Sequence, residues 1–523
     1  MNKKLLFLFL LVSTSASMFA QNSFDQVYSI LSTKCSNAGC HSATSSQSLR
    51  FDTTSAAVYA SIFNQPPVNA AALGRGEQIV WIDQPYQSYL LKKAGSWFDS
   101  DLALPAGEPD SAAHAGAGLT NIEVEVIRQW IMNGAAQTGV TVDTSMIADY
   151  YNDTARGPFS PKKPLPAAGT GIQVRYGPIF LRNTPGHNEI EQLLMNQINF
   201  PNDVEAYGLD MEMNSFSHHF ILFKFDDSAS AIAKQVGFRT VTLGANTVSP
   251  FDGNKSVASV WVYSQNIVLP SQTAFFWPQK TYLDLDFHVK NYSNYPVLPF
   301  DVYLNISTRP RDITDNTIEM KSRLQNNNTL GTLDLNPPYH YNSIAPHATS
   351  MCIDEDQDNG ANEVRYLWLL NSHTHKMGVG FTIYTYDPSK SNSCGDTIYN
   401  GNIDYNNQGG AIDLGYYDWE HPSIEFFPNL KPINMKTSGL IAKTYYKNDS
   451  SFYQTFGFTT AQEMQLFYYL YTSTTPQGWT DGITDLTKSA FNFDVYPNPM
   501  AGKGTLTYTL NTPATVSATI VDI

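Results

Sequence analysis

Cysteine is scarce in this chain, with four residues among 523, so two bridges are the most it could form. Cys35 and Cys40 lie close together near the N-terminus, while Cys352 and Cys394 are far apart. The distant pair is expected to form a structural disulfide, whose long loop would stabilise the fold by about 2–4 kcal/mol. The alternative is that one of the two is a metal ligand. Charge is also sparse, at 15% of residues, and acidic residues outnumber basic ones by 47 to 32. The resulting net charge of −15 argues against nucleic acid as a partner. Beyond the N-terminus no run has the length and apolarity of a membrane-crossing helix, so no transmembrane segment is expected.

The first residues, 1–20, have the make-up of a secretory signal. Lys3 and Lys4 give the positive start, Leu5 to Val12 the apolar run, and a small-residue stretch ends at Ala20, where cleavage is expected. The apolar run is too short to span a bilayer. The mature chain is expected to be exported to the periplasm and then secreted or held at the cell surface, a setting that permits disulfides.

Tyr, Phe, Asn, Thr, Gly and Pro are plentiful, a balance that suggests β-sandwiches joined by turn-rich connections. The length is too great for one core. Residues 21–140 are rich in small residues and helix formers. Within them Ile122, Val124, Ile127, Trp130 and Ile131 have helical spacing, with Thr120 and Glu123 placed as a capping box and Gly134 as a stop. A linker is expected over 141–170, with Pro158 to Pro166 as its proline-rich part. Short alternating runs follow, such as Phe220-Ile221-Leu222-Phe223-Lys224-Phe225 and Tyr282-Leu283-Asp284-Leu285-Asp286-Phe287, and read as strands. They make one block too large for a single sandwich, divided here into 171–310 and 311–480. Residues 491–523 form a short separate β unit.

Six positions in this block read as two copper sites. His373 and His375 are two apart in a strand-like run, so both imidazoles point to one face. Met464, in another strand-like run, would add a thioether, a soft ligand suited to Cu(I). His218 and His219 are adjacent and would face opposite sides of a regular strand, so a bulge or bend is expected there. His288 ends the apolar run of a further strand and could complete a trio of imidazoles. Taken singly, each of these residues would be read as core packing or surface; their combination and order carry the signal.

The sequence Ser217-His218-His219-Phe220-Ile221-Leu222, then Asp286-Phe287-His288, Ser372-His373-Thr374-His375 and Glu463-Met464-Gln465-Leu466-Phe467-Tyr468-Tyr469 resembles the copper type II, ascorbate-dependent monooxygenases. That family includes the peptidylglycine α-hydroxylating and dopamine β-hydroxylating enzymes. The resemblance covers about 300 residues and implies a mainly β fold of two jelly-roll sandwiches with one copper each. By it, His218, His219 and His288 hold an electron-storing copper. His373, His375 and Met464 hold the catalytic copper, which meets O2 and a small-molecule substrate. It implies C–H hydroxylation with two electrons from an external reductant, across a wet cleft that keeps the two coppers far apart. An arginine that grips a substrate carboxylate in the peptide hydroxylase is replaced here by Asn371, which cannot form a bidentate charged pair. Tyr468 matches a family tyrosine near the substrate, with packing as its other reading.

Cys35-Ser36-Asn37-Ala38-Gly39-Cys40-His41 resembles a c-type haem attachment site with a widened Cys spacing. The resemblance implies a small α-helical cytochrome c-like domain over 21–140, with haem c held by Cys35, Cys40 and His41. It would pass electrons to the copper of His218, His219 and His288. The alternative is a small disulfide loop between Cys35 and Cys40. Leu104-Pro105 stands where such domains often carry Met-Pro, and Met132 and His114 are the substitute axial ligands. Finally, Val495-Tyr496-Pro497-Asn498-Pro499 resembles the start of a type IX secretion sorting domain, which implies the type IX secretion machinery as a partner. The chain ends before the family's remaining strands, so the sorting domain is read as truncated.

Overall fold

The fold is described from a computed structural model. It describes residues 22–476 and two strands beyond them, leaving out segments of which 95–117, 155–162, 242–249, 334–342 and 402–416 are the longest. The signal-like stretch, Leu104-Pro105, His114 and the Pro497-Asn498-Pro499 motif lie outside the described residues.

The N-terminal unit is helical. Its helices are α1 (Ser23–Lys34), α2 (Ser55–Ile62), α3 (Ala70–Gly74), α4 (Tyr89–Ala94) and α5 (Asn121–Met132). The capping box forms as expected. Glu123 N donates to Thr120 Oγ1 at 3.2 Å, and Thr120 N donates back to Glu123 Oε2 at 2.7 Å, which satisfies two N–H groups at the helix start. Gly134, just past the helix, has a φ of +93°, a conformation glycine takes without strain. Helix α5 packs on α1, with Trp130 against Phe24 at 5.2 Å between ring centroids. The segment expected to be a bare linker instead carries α6 (Thr144–Asn152), whose Ile147 and Tyr150 are buried. Tyr150 Oη donates to Asp301 Oδ2 at 3.2 Å and Arg128 Nη2 to the Pro178 carbonyl at 2.5 Å, so the helical unit is docked on the first sandwich.

That sandwich contains β1 (Gly171–Arg182), β2 (Glu189–Asn199), β3 (Val204–Met213), β4 (Ser217–Phe225), β5 (Gly237–Thr240), β6 (Lys255–Trp261), β7 (Gln265–Val268), β8 (Thr273–Trp277), β9 (Lys280–Lys290) and β10 (Val297–Pro310). A short β11 (Ile318–Glu319) joins its edge in parallel with β8. The second sandwich contains β12 (Lys321–Asn326), β13 (Thr332–Leu333), β14 (Ser343–Ile344), β15 (Thr349–Asp356), β16 (Val364–Thr374), β17 (Gly378–Tyr386), β18 (Cys394–Asn400), β19 (Ile424–Asn434), β20 (Leu440–Lys447), β21 (Gln454–Thr455) and β22 (Gln465–Thr472). A separate hairpin pairs β23 (Phe491–Tyr496) with β24 (Thr505–Leu510).

With the minor strands set aside, the two sandwiches share one strand order. In the first, the sheets run β1-β10-β3-β8 and β2-β9-β4-β6; in the second, β12-β22-β16-β19 and β15-β20-β17-β18. Counting the main strands along each unit, both read 1-8-3-6 over 2-7-4-5. Each core lies between its own two sheets. Phe287 of β9 meets Tyr176 of β1 at 5.2 Å between ring centroids, and Phe381 of β17 clusters with Leu370 of β16 and Phe467 of β22.

The disulfide expected between Cys352 and Cys394 does not form, and Cys394 is a free thiol. Cys352 on β15 pairs with Thr444 on β20, which pairs with Phe381 on β17, whereas Cys394 on β18 pairs with Tyr386. Three strand spacings separate the two cysteines, roughly 14 Å, and a bridge needs Cα atoms within about 7 Å. Among the described residues no helix is long and apolar enough to cross a membrane.

Candidate metal centre

Alternation along β9 decides which residues reach the site. Leu283, Leu285 and Phe287 fill the core of the first sandwich, so Asp284, Asp286 and His288 project from the outer face of the sheet. On β4, Phe220 and Leu222 pair with Phe287 and Leu285, and His219 pairs with His288. The register steps from Ser217 opposite Val289 directly to His219 opposite His288. His218 is therefore the extra residue of a bulge, the device that two adjacent ligating histidines require.

The second sandwich uses plain alternation. Ser372 of β16 points inward and bonds the Tyr399 hydroxyl at 2.7 Å, so Asn371 and His373 point outward. Thr374 pairs with Gln465 and His373 with Leu466. Met464 thus sits one position beyond the ladder, opposite His375 and on its face. It is 2% exposed and packs with Phe458 and Leu466.

The outer faces of these two unlike sheets pack on each other. Trp368, Leu369, Tyr468 and Leu470 of the second sandwich join the same buried cluster as Ile221 and Val260 of the first. Tyr468 Oη donates to the Ala258 carbonyl at 3.2 Å, a bond between the two sandwiches. Its register partner Asn371 is 2% exposed, and neither its amide oxygen nor its nitrogen has a hydrogen-bond partner.

All five histidines meet at this interface. The His218 ring lies 5.1 Å from His219, 4.8 Å from His288, 5.1 Å from His373 and 5.5 Å from His375, centroid to centroid. His219 is 5.0 Å from His373. Two sets of nitrogens converge closely enough to share an ion: His218, His219 and His288, and His218, His373 and His375. The resemblance implies two sets separated by a wet cleft. Here they adjoin, each histidine is at most 3% exposed, and His218 belongs to both.

Seven imidazole nitrogens in the cluster are buried without a hydrogen-bond partner: both of His218, both of His373, Nδ1 of His219 and His288, and Nε2 of His375. Buried polar atoms ordinarily find partners, so this donor set fits a metal chosen for nitrogen ligands. Burial, and then the neighbouring imidazoles, depress the affinity for protons. His373 is brought down to about 3, and His218, His219 and His375 are held well below 6.5. Unprotonated imidazole is the form that ligates.

Two supports fix ring orientation. His375 Nδ1 donates to the Gln462 carbonyl at 3.1 Å, which leaves Nε2 facing the cluster. His288 Nε2 lies 2.9 Å from Glu189 Oε1. Glu463 accepts from the backbone N–H groups of His375 at 3.1 Å and Met377 at 2.8 Å; burial nonetheless raises it to about 8. Below the cluster on the same outer face, burial chiefly pushes Asp286 up to about 8 and Glu191 well above the carboxylate range. Trp419 also touches the site, 5.4 Å from His218. The sequence reading missed Glu189, Gln462, Glu463 and Trp419. The one local signal was that Glu463 adjoins Met464; Gln462 and Trp419 come from turns and Glu189 from the first position of β2, none within a motif.

In the helical unit, Cys35 and Cys40 are free thiols, so they do not close a disulfide loop. Burial, then Cys40 and Glu123, raise the Cys35 thiol to about 11. His41 Nδ1 lies 2.9 Å from the Leu49 carbonyl, and its ring packs on Phe51. Met132 sits half a helical turn from Glu123 in phase, and its sulfur accepts from Arg128 at 3.9 Å, so it faces away from Cys35.

No protein-family model matches the chain, and no curated protein matches it. Among solved structures, it is similar to a peptide-N(4)-(N-acetyl-β-D-glucosaminyl) asparagine amidase, with 10% identity, 58% of this chain and 97% of that one covered, and a TM-score of 0.23. It is also similar to PNGF-II, with 10% identity, coverage of 64% and 71%, and a TM-score of 0.22. An archaeal-virus turret protein with a triple jelly roll follows at 7% identity, coverage of 59% and 60%, and 0.14. Likenesses this slight identify neither a shared fold nor a shared chemistry.

Proposed function

We propose that this chain is an exported copper monooxygenase built on two jelly rolls, the architecture that matches the strand order of both sandwiches. His218, His219 and His288 hold one copper, and His373, His375 and Met464 hold the other. The observation that carries this reading is the set of seven buried, partnerless imidazole nitrogens contributed by both sandwiches. Copper there would supply one-electron transfer and oxygen activation. The net reaction is R–H + O2 + 2 e⁻ + 2 H⁺ → R–OH + H2O. The protein's own part is to keep the imidazoles unprotonated, to fix the His288 and His375 rings through Glu189 and Gln462, and to exclude water from between the sandwiches. Asn371, with its partnerless amide beside His373, is the group offered to a substrate. Tyr468 is engaged elsewhere.

Cys35, Cys40 and His41 would hold haem c, which would supply electrons from an external reductant. The free state of both thiols, with His41 directly after Cys40, favours that role. Export by type IX secretion completes the reading.

Metal analysis of the purified full chain tests it, with two coppers per chain expected. Oxygen uptake with copper and a reductant is expected to vanish in His373→Ala and Met464→Ala while the fold persists. A haem-stained denaturing gel is expected to show covalent haem that Cys40→Ser loses. A second reading, a copper-binding protein without turnover, is favoured by the burial of all five histidines. Copper binding without oxygen uptake would select it.

A further inference from the structure

Glu189 makes four bonds at the seam between the sandwiches. Its Oε1 lies 2.9 Å from His288 Nε2 and accepts from the Thr460 backbone N–H at 2.6 Å. Its Oε2 accepts from Lys290 Nζ at 2.9 Å and from Thr460 Oγ1 at 3.1 Å. Lys290 Nζ also donates to Thr460 Oγ1. Glu189 and Lys290 belong to the first sandwich, and Thr460 to the turn that enters β22 of the second. Lys290 Nζ and the Thr460 N–H both donate to this carboxylate, so it stands as the acceptor at the seam. An ionised carboxylate only accepts, so His288 Nε2 carries the proton and Nδ1 is left as the ligating nitrogen. Nδ1 is the His288 atom that is buried without a partner. Two residues after Thr460, the same turn offers the Gln462 carbonyl to His375 Nδ1. One short segment of the second sandwich thus braces an imidazole from each.

We propose that Glu189 is a positioning residue that presents His288 to its metal only while Thr460 of the second sandwich is docked on it. Metal binding and closure of the two sandwiches are then one event. This rests on the copper reading above.

The test uses the full chain loaded with Cu(II) alone, read by chelator competition and by electron paramagnetic resonance. Glu189→Ala is expected to weaken one of the two coppers by about 10–100-fold, the usual cost of losing a ligand's supporting partner, and to alter the spectrum of that ion only. Glu189→Gln, which keeps an acceptor for His288, is expected to restore most of the affinity. Thr460→Val, on the other sandwich, removes the hydroxyl's bonds to Glu189 and Lys290 and is expected to weaken the same copper about fivefold with the same spectral change. The idea is overturned if the wild type binds two coppers and Glu189→Ala leaves affinity and spectrum unchanged, or if Thr460→Val moves neither. A wild type that binds no copper sinks the copper reading itself. Should Glu189→Ala fail to fold, Thr460→Val against wild type decides alone.

Discussion

The two sandwiches have the same strand order but use it differently. Each takes its histidine pair from the connection between its third and fourth main strands. In the first, the pair opens the fourth strand, β4, and needs a bulge to turn both rings one way. In the second, His373 and His375 lie at the end of the third strand, β16, where alternation alone aligns them. The third ligand differs too, being His288 on the seventh strand against Met464 at the start of the eighth. One corner of a fold therefore offers ligand positions on either of its two sheets, and the choice decides which outer face carries the metal. Because the two sandwiches chose opposite sheets, stacking those faces brings all five imidazoles together.

A second parallel was hidden in the sequence. After β9 the chain reads Lys290-Asn291-Tyr292-Ser293-Asn294-Tyr295, and after β20 it reads Lys447-Asn448-Asp449-Ser450-Ser451-Phe452. Asn291 Nδ2 donates to the Leu181 and Tyr295 carbonyls, and Asn448 Nδ2 to those of Ile344, Ala345 and Phe452. In both turns the asparagine oxygen accepts from the N–H and hydroxyl of the serine two residues on. The match spans six residues with three identities, too little to defend as a repeat before the bonds are seen.

The comparison can be broken in several ways. The largest effect is expected at His218, the residue common to both triads. His218→Ala should lower metal content by more than either His219→Ala or His375→Ala, as read by elemental analysis of each purified variant. Equal losses would mean that the two sandwiches bind independently. Next come the matched turns. Asn291→Ala and Asn448→Ala each leave one buried carbonyl and at least one part-buried carbonyl without its donor and should cost about 2–4 kcal/mol in chemical denaturation. A cost in only one sandwich would end the equivalence.

The pH dependence of the metal-free chain sharpens the comparison further. His218, His219, His373 and His375 take up protons less readily folded than unfolded, where 6.5 is the ordinary value. Below about 6.5 the unfolded chain binds more protons, so stability should be full above that pH and fall as pH drops toward about 3. Denaturation midpoints at several pH values should show this slope, and His219→Phe and His373→Phe should each reduce it. The smallest effect belongs to the interface. Tyr468→Phe removes the bond to Ala258 and should cost about 1 kcal/mol, measured in the same denaturation series.

Much of the site was legible beforehand. The bulge at His218-His219 followed from adjacency, and the pairing of His373 with His375 from a period of two. The Thr120–Glu123 capping box could be read as well. The disulfide could not, because loop length says nothing of how many strands intervene between Cys352 and Cys394. Nor could Glu189, since a glutamate opening a strand has no local mark of a partner nearly 100 residues away, and Thr460 is further still.

The sequence by itself determined which residues are strands, which faces are apolar and which side chains could ligate a metal, because those follow from local alternation and chemistry. Tertiary structure alone decided what covers the polar faces. Asp284, Asp286, His288 and Asn371 sit on faces that local pattern marks as solvent-facing, yet all are buried. Alternation specifies two sides of a strand, but only the packing of one sheet on another specifies which side meets water.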